Sequence, residues 1–462
     1  MSASEKAAAF AAQQPTTSSP DKPQLRRILG MRDLVLLIIG TVIGSGIFLV
    51  PGTILKSVGN SLPVALSVWI IGGVLSLLGA LTYGELTAMK PEAGGLYVYI
   101  RDCFGPLMGF LFGWTFFFVI STGAAATLSV AFSTYLREFI PLTTWSARLV
   151  SVLVIVVIAA VNVRGTRQSA DLQNLTTAIK VFALLTMGTA LLWFGKGSHI
   201  FGASPAASLP AGSLFSGIGL AMVSVLWAYE GWQYATFSAG ETLNPQRNFP
   251  LAFLGATLAL MGIYLFANLG YVAALGAHEV ANSNRVAATA LAAAISPAAA
   301  KLVTVAILIS MFSAANSVTL TAPRVYYAMA KDGLFFQRLA EIHPKFGTPA
   351  FAVITGAVWA ALLAASGTFE QLLTYVVFVS WSCYALAAAS IFVYRKRQPN
   401  ALRPYRVPGY PWTPLLFILV TAAFVANTVY AKPREAAVGL GIVLAGAPAY
   451  MIWRKRPNTV GE

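Results

Sequence analysis

Charged side chains are scarce in this sequence, where Asp, Glu, Lys and Arg make up only 10% of 462 residues. A soluble domain carries roughly 25% of such residues, because they cover its water-facing surface. Hydrophobic residues make up 57% of the chain, and its mean hydropathy is +0.71. This balance excludes a soluble enzyme, a fibrous protein and a disordered scaffold. It predicts a protein that crosses a membrane several times.

Cysteine and histidine, which supply most disulfides and many metal ligands, are also rare. The two cysteines, Cys103 and Cys383, lie far apart in apolar sequence, which indicates neither a disulfide framework nor a metal cluster. The histidines, His199, His278 and His343, fall between the apolar stretches, so we expect no histidine proton relay and no cofactor. The sequence offers no paired carboxylates and no Ser/His/Asp set at one membrane depth. We therefore predict that the protein is not an enzyme.

Acidic residues are about half as frequent as basic ones, with 16 Asp and Glu against 31 Lys and Arg. Membrane proteins collect Lys and Arg on the cytoplasmic side, so this excess does not indicate a nucleic-acid partner. With both termini placed inside, the cytoplasmic side holds 22 of these cations, the outer side holds 8, and Lys180 lies within a span. We predict cytoplasmic termini and an even number of spans.

Apolar stretches long enough to cross a bilayer, which takes about 20 residues, follow one another in near-regular order. Phe104, Gly105 and Pro106 predict a bend near the start of the long third stretch. Segment 278–297 predicts an external loop with a short helix, and residues 1–30 predict a disordered cytoplasmic tail. The twelve predicted spans are 33–57, 64–86, 96–136, 144–163, 171–195, 213–240, 249–275, 299–328, 349–365, 371–394, 411–430 and 436–453, with a cytoplasmic connector at 395–411.

Two spans contain residues that interrupt a continuous membrane helix. In span one, Gly44, Ser45 and Gly46 predict local unwinding, which would free backbone N–H groups for a carboxylate. A small-residue face for helix packing is the alternative. In span six, Glu230 is the one acid placed deep in the bilayer, where an unpaired carboxylate costs about 2.5 kcal/mol or more. A structural role as a protonated acid is the alternative for this residue.

The positions of these interruptions indicate an inverted repeat. They lie in span one and span six, and an offset of five spans gives the two copies opposite orientations. Such repeats place a substrate site near the membrane midplane, between two discontinuous helices. Lys180, deep in span five, is a third candidate. It is either a lysine that snorkels to the interface or a fixed cation that replaces a coupling sodium ion at unwound carbonyls of span one.

The segment Ile43-Gly-Ser-Gly-Ile-Phe48 resembles the signature of the amino acid–polyamine–organocation (APC) superfamily, closest to its L-type amino acid transporter branch. The resemblance implies an all-α membrane protein with twelve transmembrane helices, a LeuT-like 5+5 inverted repeat and discontinuous helices 1 and 6. The implied segments are the tail 1–30, a first repeat at 31–200, a second at 201–398, and the last two helices with the C-terminus at 399–462. The similarity continues through Gly84–Tyr99, Phe104–Pro106, Lys180, Trp227–Gln233, Gly240–Pro245 and Ala330–Gly333, and so covers roughly 30–455.

The resemblance also implies a substrate site on the two interrupted spans. The substrate carboxylate would meet backbone N–H groups of the Gly-Ser-Gly turn. The substrate ammonium would meet carbonyls at Val42, Trp227 and Glu230, with the Trp227 ring as an outer gate. The implied substrate-binding residues are Val42, Ile43, Gly44, Ser45, Gly46, Trp227, Ala228, Glu230 and Gln233.

Lys180 matches the family position at which sodium-coupled relatives bind an ion, and the resemblance therefore implies sodium independence. The hydroxyl that often accompanies this lysine aligns with Ala314 here. Ser313 or Ser317 would take its place as part of the coupling, sodium-mimicking group.

Two features depart from the branch that carries large neutral amino acids. That branch has a small residue at position 230, whereas Glu230 resembles the acid of the branch that also accepts cationic amino acids. Glu230 could pair with a basic side chain, or titrate and couple transport to protons. The loop at 137–147 contains no cysteine, although animal members use one there to link a heavy subunit. We therefore expect a stand-alone carrier in a bacterial inner membrane, with the lipid bilayer and a small amino acid as its partners.

The sequence thus predicts a secondary transporter that moves amino acids across the cytoplasmic membrane by alternating access. Its mode would be sodium-independent uniport, exchange or proton-linked transport, with neutral substrates favoured. The alternative is a transporter specialised for cationic amino acids or polyamines, with Glu230 as the partner of the substrate side chain. A channel is a distant alternative, because Glu230 and Lys180 form no ring of charges.

Overall fold

A computed structural model describes residues 25–196, 200, 211–283, 285–366, 369–431 and 433–454. Most of the predicted tail (1–24), His199 and the last residues of the chain (455–462) lie outside these ranges. Within them the regular secondary structure is helical, and the β-structure is limited to one parallel bridge between Leu29 and Thr242. The predicted all-α class is therefore confirmed for the described part.

The first half of the chain contains two interruptions within its long helices. The first separates α1 from α2, and the second is a π-helical segment, Phe116–Ile120, between α5 and α6. The helices are α1 (Met31–Val42), α2 (Gly46–Ser57), α3 (Leu62–Met89), α4 (Leu96–Phe104), α5 (Pro106–Thr115), α6 (Ser121–Leu136), α7 (Thr144–Arg164) and α8 (Thr166–Phe194).

The second half begins with another interrupted helix, because α9 is followed by a 3-10 helix, Trp232–Glu241. The helices are α9 (Ala211–Ala228), α10 (Pro245–Leu275), α11 (Ala277–Asn282), α12 (Val286–Ala294), α13 (Pro297–Thr321), α14 (Pro323–Lys331), α15 (Ala350–Ser366), α16 (Phe369–Arg397), α17 (Trp412–Ala431) and α18 (Pro433–Arg454), with a short 3-10 helix at Gln337–Ala340.

Seven helical stretches of the described ranges are long and apolar enough to cross a membrane. The pair α1 and α2, bent by 49° at its break, makes an eighth candidate, and α15 and Trp412–Asn427 are shorter apolar helices. The predicted membrane class is thus supported by helices that match the predicted spans closely, such as α7 and α10. Helix length and composition therefore support up to eight membrane spans within the described ranges, compared with the twelve that the sequence predicts.

The structure corrects two predictions about segments: where the third span starts, and how many helices lie in segment 278–297. The predicted third span, 96–136, begins too early, because α4 is a separate helix and the crossing starts at Pro106. The bend itself is confirmed, since Gly105 has a φ of +93° between α4 and α5. Segment 278–297 was predicted with one short helix, but it holds most of α11 and all of α12. The apolar side chains of α11 pack mainly on α2, and those of α12 pack on α13, α10 and α2, which explains why this Ala-rich segment is helical and buried rather than a solvated loop.

Buried ion pairs hold together the end of the bundle at which α1 begins. Nε of Arg324 donates to Glu241 at 2.5 Å, and both side chains are only 1% exposed. Arg324 also donates to the hydroxyl of Thr166 at 2.8 Å. Nearby, Arg395 makes a two-pronged contact with Glu85 at 2.9 and 2.6 Å. Because Glu241 ends the 3-10 helix, this end of the interrupted helix is fixed to α8 and α14.

Candidate functional site

The break in the first helix leaves backbone donors without partners. The last helical bond of α1 runs from the N–H of Ile43 to the carbonyl of Ile39 at 2.9 Å, and α2 begins again at Gly46. Within the described ranges, the N–H groups of Ser45, Gly46 and Ile47 make no hydrogen bond. They point out of the start of α2, where the helix dipole favours negative charge. This end of α2 can therefore accept a carboxylate.

The break in the second helix depends on Gly231. Residues 229–231 separate α9 from the 3-10 helix, and Gly231 has a φ of +128°, a conformation that L side chains rarely adopt. A Cβ at this position would also lie 3.0 Å from the backbone of Thr41. A glycine is therefore required both for the turn and for the close approach of α1.

The two breaks lie against each other. A Cβ on Gly46 would lie 2.9 Å from Cα of Ala228, so α2 and α9 pack with almost no space between their backbones. Between them is a cavity of about 70 Å³, which has room for more than one water molecule. It is lined by Thr41, Val42, Gly44, Ser45, Gly46, Ala124, Thr127, Leu128, Trp227, Glu230, Gly231, Tyr234, Ala314 and Val318.

Lys180 reaches the first break from α8. Its Nζ donates to the carbonyls of Gly40 at 2.5 Å and Ile43 at 2.7 Å, and the residue is 1% exposed. The hydroxyl of Ser310, on α13, donates to the same Ile43 carbonyl at 2.8 Å and to that of Gly44 at 3.1 Å. Unwound backbone carbonyls of discontinuous membrane helices can coordinate sodium ions. Here an ammonium group and a hydroxyl occupy them.

The structure does not place the hydroxyls of Ser313 and Ser317 at the ammonium group of Lys180, which donates to Gly40 and Ile43. Ser313 accepts hydrogen bonds from Gln173 at 3.1 Å and Thr176 at 3.0 Å instead. The hydroxyl of Ser317 has no partner among the described residues. Ser310 lies one helical turn before Ala314 and on the same face of α13, so the 3.6-residue period could have identified it.

Six of the nine predicted substrate-binding residues line the cavity: Val42, Gly44, Ser45, Gly46, Trp227 and Glu230. The other three do not. The carbonyl of Ile43 faces Lys180, and that of Ala228 accepts from the hydroxyl of Tyr264 at 2.9 Å. The side-chain oxygen of Gln233 turns back to the N–H of Gly231 at 3.1 Å. These three residues hold the breaks in shape rather than facing the cavity.

The walls of the cavity come from residues that the sequence did not single out. Ala124, Thr127 and Leu128 lie on α6, and Ala314 and Val318 lie on α13. Their small or apolar side chains resemble those of any membrane helix, so no local signal marks them. The carbonyl of Val42, expected to meet the substrate ammonium, already accepts from Gly44 at 2.8 Å and from Tyr264 at 3.2 Å.

Glu230 faces the cavity with one bonded oxygen and one free oxygen. Its Oε1 accepts from the hydroxyl of Tyr384 at 3.0 Å. Its Oε2 is buried and has no partner, and no Lys or Arg of the described chain forms an ion pair with it. The carboxyl group is therefore available to a proton or to a cationic group that enters the cavity.

Two broken helices that present free amides and a carboxyl group to one cavity, inside an apolar bundle, define a membrane transporter for a small polar solute rather than an enzyme. Comparison with known sequences gives the family. The amino acid permease family model matches residues 29–450, and the chain belongs to this family within the APC superfamily. The resemblance seen in the sequence motifs is thus confirmed.

Several characterised proteins are similar along nearly the whole chain. The serine/threonine exchanger SteT of Bacillus subtilis is 31% identical over 438 residues, which cover 94% of this chain and 98% of SteT. The human cystine/glutamate transporter is 32% identical and covers 95% of this chain and 88% of its own length. The rat large neutral amino acids transporter small subunit 2 is 29% identical, and the match covers 95% of this chain and 83% of the rat protein.

Proposed function

We propose that this amino acid transporter works by alternating access around the cavity between the two helix breaks. The contact between Gly46 and Ala228 carries the proposal, because it joins the first and sixth predicted spans at one point. Twelve crossings would then form two inverted five-helix repeats, at 31–200 and 201–398, followed by two further helices in 399–462. In this arrangement, α1 and the 3-10 helix Trp232–Glu241 move against α6 and α13, and the cavity opens in turn to each side of the membrane.

The substrate backbone would bind mainly to the first break. Its carboxylate would accept hydrogen bonds from the N–H groups of Ser45, Gly46 and Ile47, which lack partners within the described ranges. Its ammonium would meet the carboxyl group of Glu230, whose Oε2 has no partner among the described residues. Trp227 would cover the bound ligand, since its ring lies on the cavity wall.

We propose small neutral amino acids as the main substrates. The cavity is small, and the side chains of Leu128, Trp227 and Val318 restrict it. The similarity to a serine/threonine exchanger supports this size class and an exchange mode. Cationic amino acids or polyamines are the second candidate, supported by the free oxygen of Glu230.

Transport would be independent of sodium. The carbonyls of Gly40 and Ile43 already hold the ammonium group of Lys180, so an incoming sodium ion would have to displace a tethered cation. We further propose that the protein functions in the bacterial cell membrane with both termini in the cytoplasm. It would act without a disulfide-linked heavy subunit, because loop 137–147 has no cysteine.

Reconstituted protein in liposomes tests this function. Uptake of radiolabelled serine should rise when unlabelled amino acid is loaded inside, should be equal with and without sodium, and should be inhibited by small neutral amino acids. A competition panel of twenty amino acids and polyamines at two pH values separates neutral from cationic substrates. Inhibition by arginine or polyamines alone would favour the second candidate, and conductance without saturation would indicate a channel.

A further inference from the structure

A second cavity, of about 500 Å³, lies away from the substrate site and shares no lining residue with it. It is formed where α3 and α10 meet the connector that follows α16. Leu81 of α3, Leu251 and Leu254 of α10, and Tyr405 of the connector line it, and Arg247 stands at its edge.

The connector that forms one wall is fixed in place by contacts on α3. Glu85 accepts from the backbone N–H of Val407 at 2.6 Å and from Arg395 at 2.6 Å. A Cβ on Gly84 would lie 3.3 Å from the ring of Tyr405 and 3.5 Å from Cα of Pro250, so the ring is packed between α3 and α10. The cavity is therefore a built part of the fold.

The apolar wall of the cavity continues into the face that meets lipid. Leu251 and Leu254 are 47% and 38% exposed, and Leu258, one turn further along α10, is 50% exposed. Apolar side chains exposed on membrane helices contact acyl chains. The groove thus offers a path for a lipid tail.

The connector beside the cavity carries exposed apolar side chains of the kind found at the level of the lipid headgroups. Leu402 of the connector and Trp412, the first residue of α17, are both strongly exposed. Exposed tryptophan at a helix end is typical of the membrane–water interface. Under the orientation proposed above, this is the cytoplasmic leaflet, whose surface is negatively charged.

Two basic residues belong to the segments that form the cavity: Arg247 lines it, and Arg406 follows the lining residue Tyr405. Arg247 and Arg406 are exposed, and neither side chain forms an ion pair or hydrogen bond within the described part of the chain. Their neighbour Glu85 is already occupied by Arg395 and Arg403. A guanidinium group binds phosphate well, because its N–H donors match two phosphate oxygens.

We propose that this cavity binds one anionic glycerophospholipid of the inner leaflet. Arg247 holds the phosphate, Arg406 contributes long-range attraction, and an acyl chain follows Leu251, Leu254 and Leu258. Such a lipid would fasten the connector to the first turn of α10, directly after the interrupted span six.

Native mass spectrometry of the full-length protein, titrated with phosphatidylglycerol, tests the proposal. Arg247→Gln should weaken retention of the first lipid about five-fold, as expected for the loss of one cation near an anionic lipid surface. Arg338→Gln is the matched control, since Arg338 is exposed and basic but lies in a different segment, Gln337–Ala340. Equal losses in the two variants would overturn a specific site.

Two further arms define the ligand. Leu254→Trp narrows the apolar wall along which the acyl chain would lie and should weaken binding of the first lipid while the melting temperature shows a folded protein; undiminished binding would contradict the placement. Phosphatidylcholine should bind at least several-fold more weakly than phosphatidylglycerol, and equal binding would contradict the role of Arg247. Displacement of the lipid by inorganic phosphate would show that the site takes free phosphate instead.

Discussion

The two helix breaks that meet at the cavity are built in opposite ways. At the first break, the carbonyls of Gly40 and Ile43 are taken by Lys180 and Ser310, and the free groups are backbone N–H donors. At the second break, the group without a partner among the described residues is the Oε2 atom of Glu230. A backbone donor recognises any amino acid carboxylate, whereas a side chain at position 230 can differ between proteins. The first break thus supplies general recognition, and the second supplies selectivity.

The largest effect is expected where the two breaks touch. Gly46→Leu places a side chain 2.9 Å from the backbone of Ala228, so the breaks must separate. Serine uptake should fall about 100-fold or more, as misplacement by about 1 Å does in other sites. Gly262→Leu is the control, because a Cβ at Gly262 meets nothing within 4 Å. Retained uptake in the Gly46 variant would separate the contact from function.

The second-largest effect on transport is expected from removing the ammonium group of Lys180. Lys180→Ala removes two charge-assisted hydrogen bonds, each of which contributes about 1.5–3 kcal/mol, and leaves only the Ser310 hydroxyl as a donor to the Ile43 carbonyl. We expect exchange to slow about 10- to 100-fold in proteoliposomes, with normal expression and membrane insertion. Lys331→Ala, which removes an exposed lysine from the end of α14, should leave the rate unchanged. Exchange at the wild-type rate in Lys180→Ala would remove Lys180 from the transport cycle.

A change at the second break should alter selectivity rather than overall rate. Glu230→Gln keeps the shape of the side chain and removes its charge. The rate of arginine uptake should fall about tenfold, which corresponds to about 1.4 kcal/mol, while alanine or leucine uptake remains. If Glu230 instead titrates during transport, the difference in uptake rate between two pH values should disappear. Glu341→Gln, at an exposed acid, serves as the control. An unchanged substrate and pH profile would make Glu230 a structural residue.

The smallest effect is expected for the hydroxyl at the first break. Ser310→Ala removes one neutral hydrogen bond from the Ile43 carbonyl, which keeps Lys180 as a donor. Exchange should slow about five-fold, consistent with about 1 kcal/mol. Ser317→Ala is closely matched, because its hydroxyl has no partner within the described ranges. Equal rates in the two variants would contradict the role assigned to Ser310.

The sequence predicted the breaks better than the cavity around them. Gly44 and Gly46, or Glu230 with Gly231, stand out because such residues are costly in an apolar helix, and Lys180 stands out as a deep cation. Ser310 was missed in favour of Ser313 and Ser317, although it lies one helical turn before Ala314 and on the same face of α13. Ala124 and Val318 carry no signal at all, since their side chains look the same facing lipid or ligand. Similarly, the burial of α12 over α2 depends on contacts that no local pattern records.

Recognition of a substrate carboxylate by unpartnered main-chain amides can be tested on the unmodified protein. Serine, serinamide and ethanolamine share the hydroxyl and amino groups but differ at the carboxyl position. Inhibition of labelled serine uptake should be strong for serine and at least about 100-fold weaker for the other two, because only an anion matches the start of α2. Equal inhibition by serinamide would contradict the proposed site.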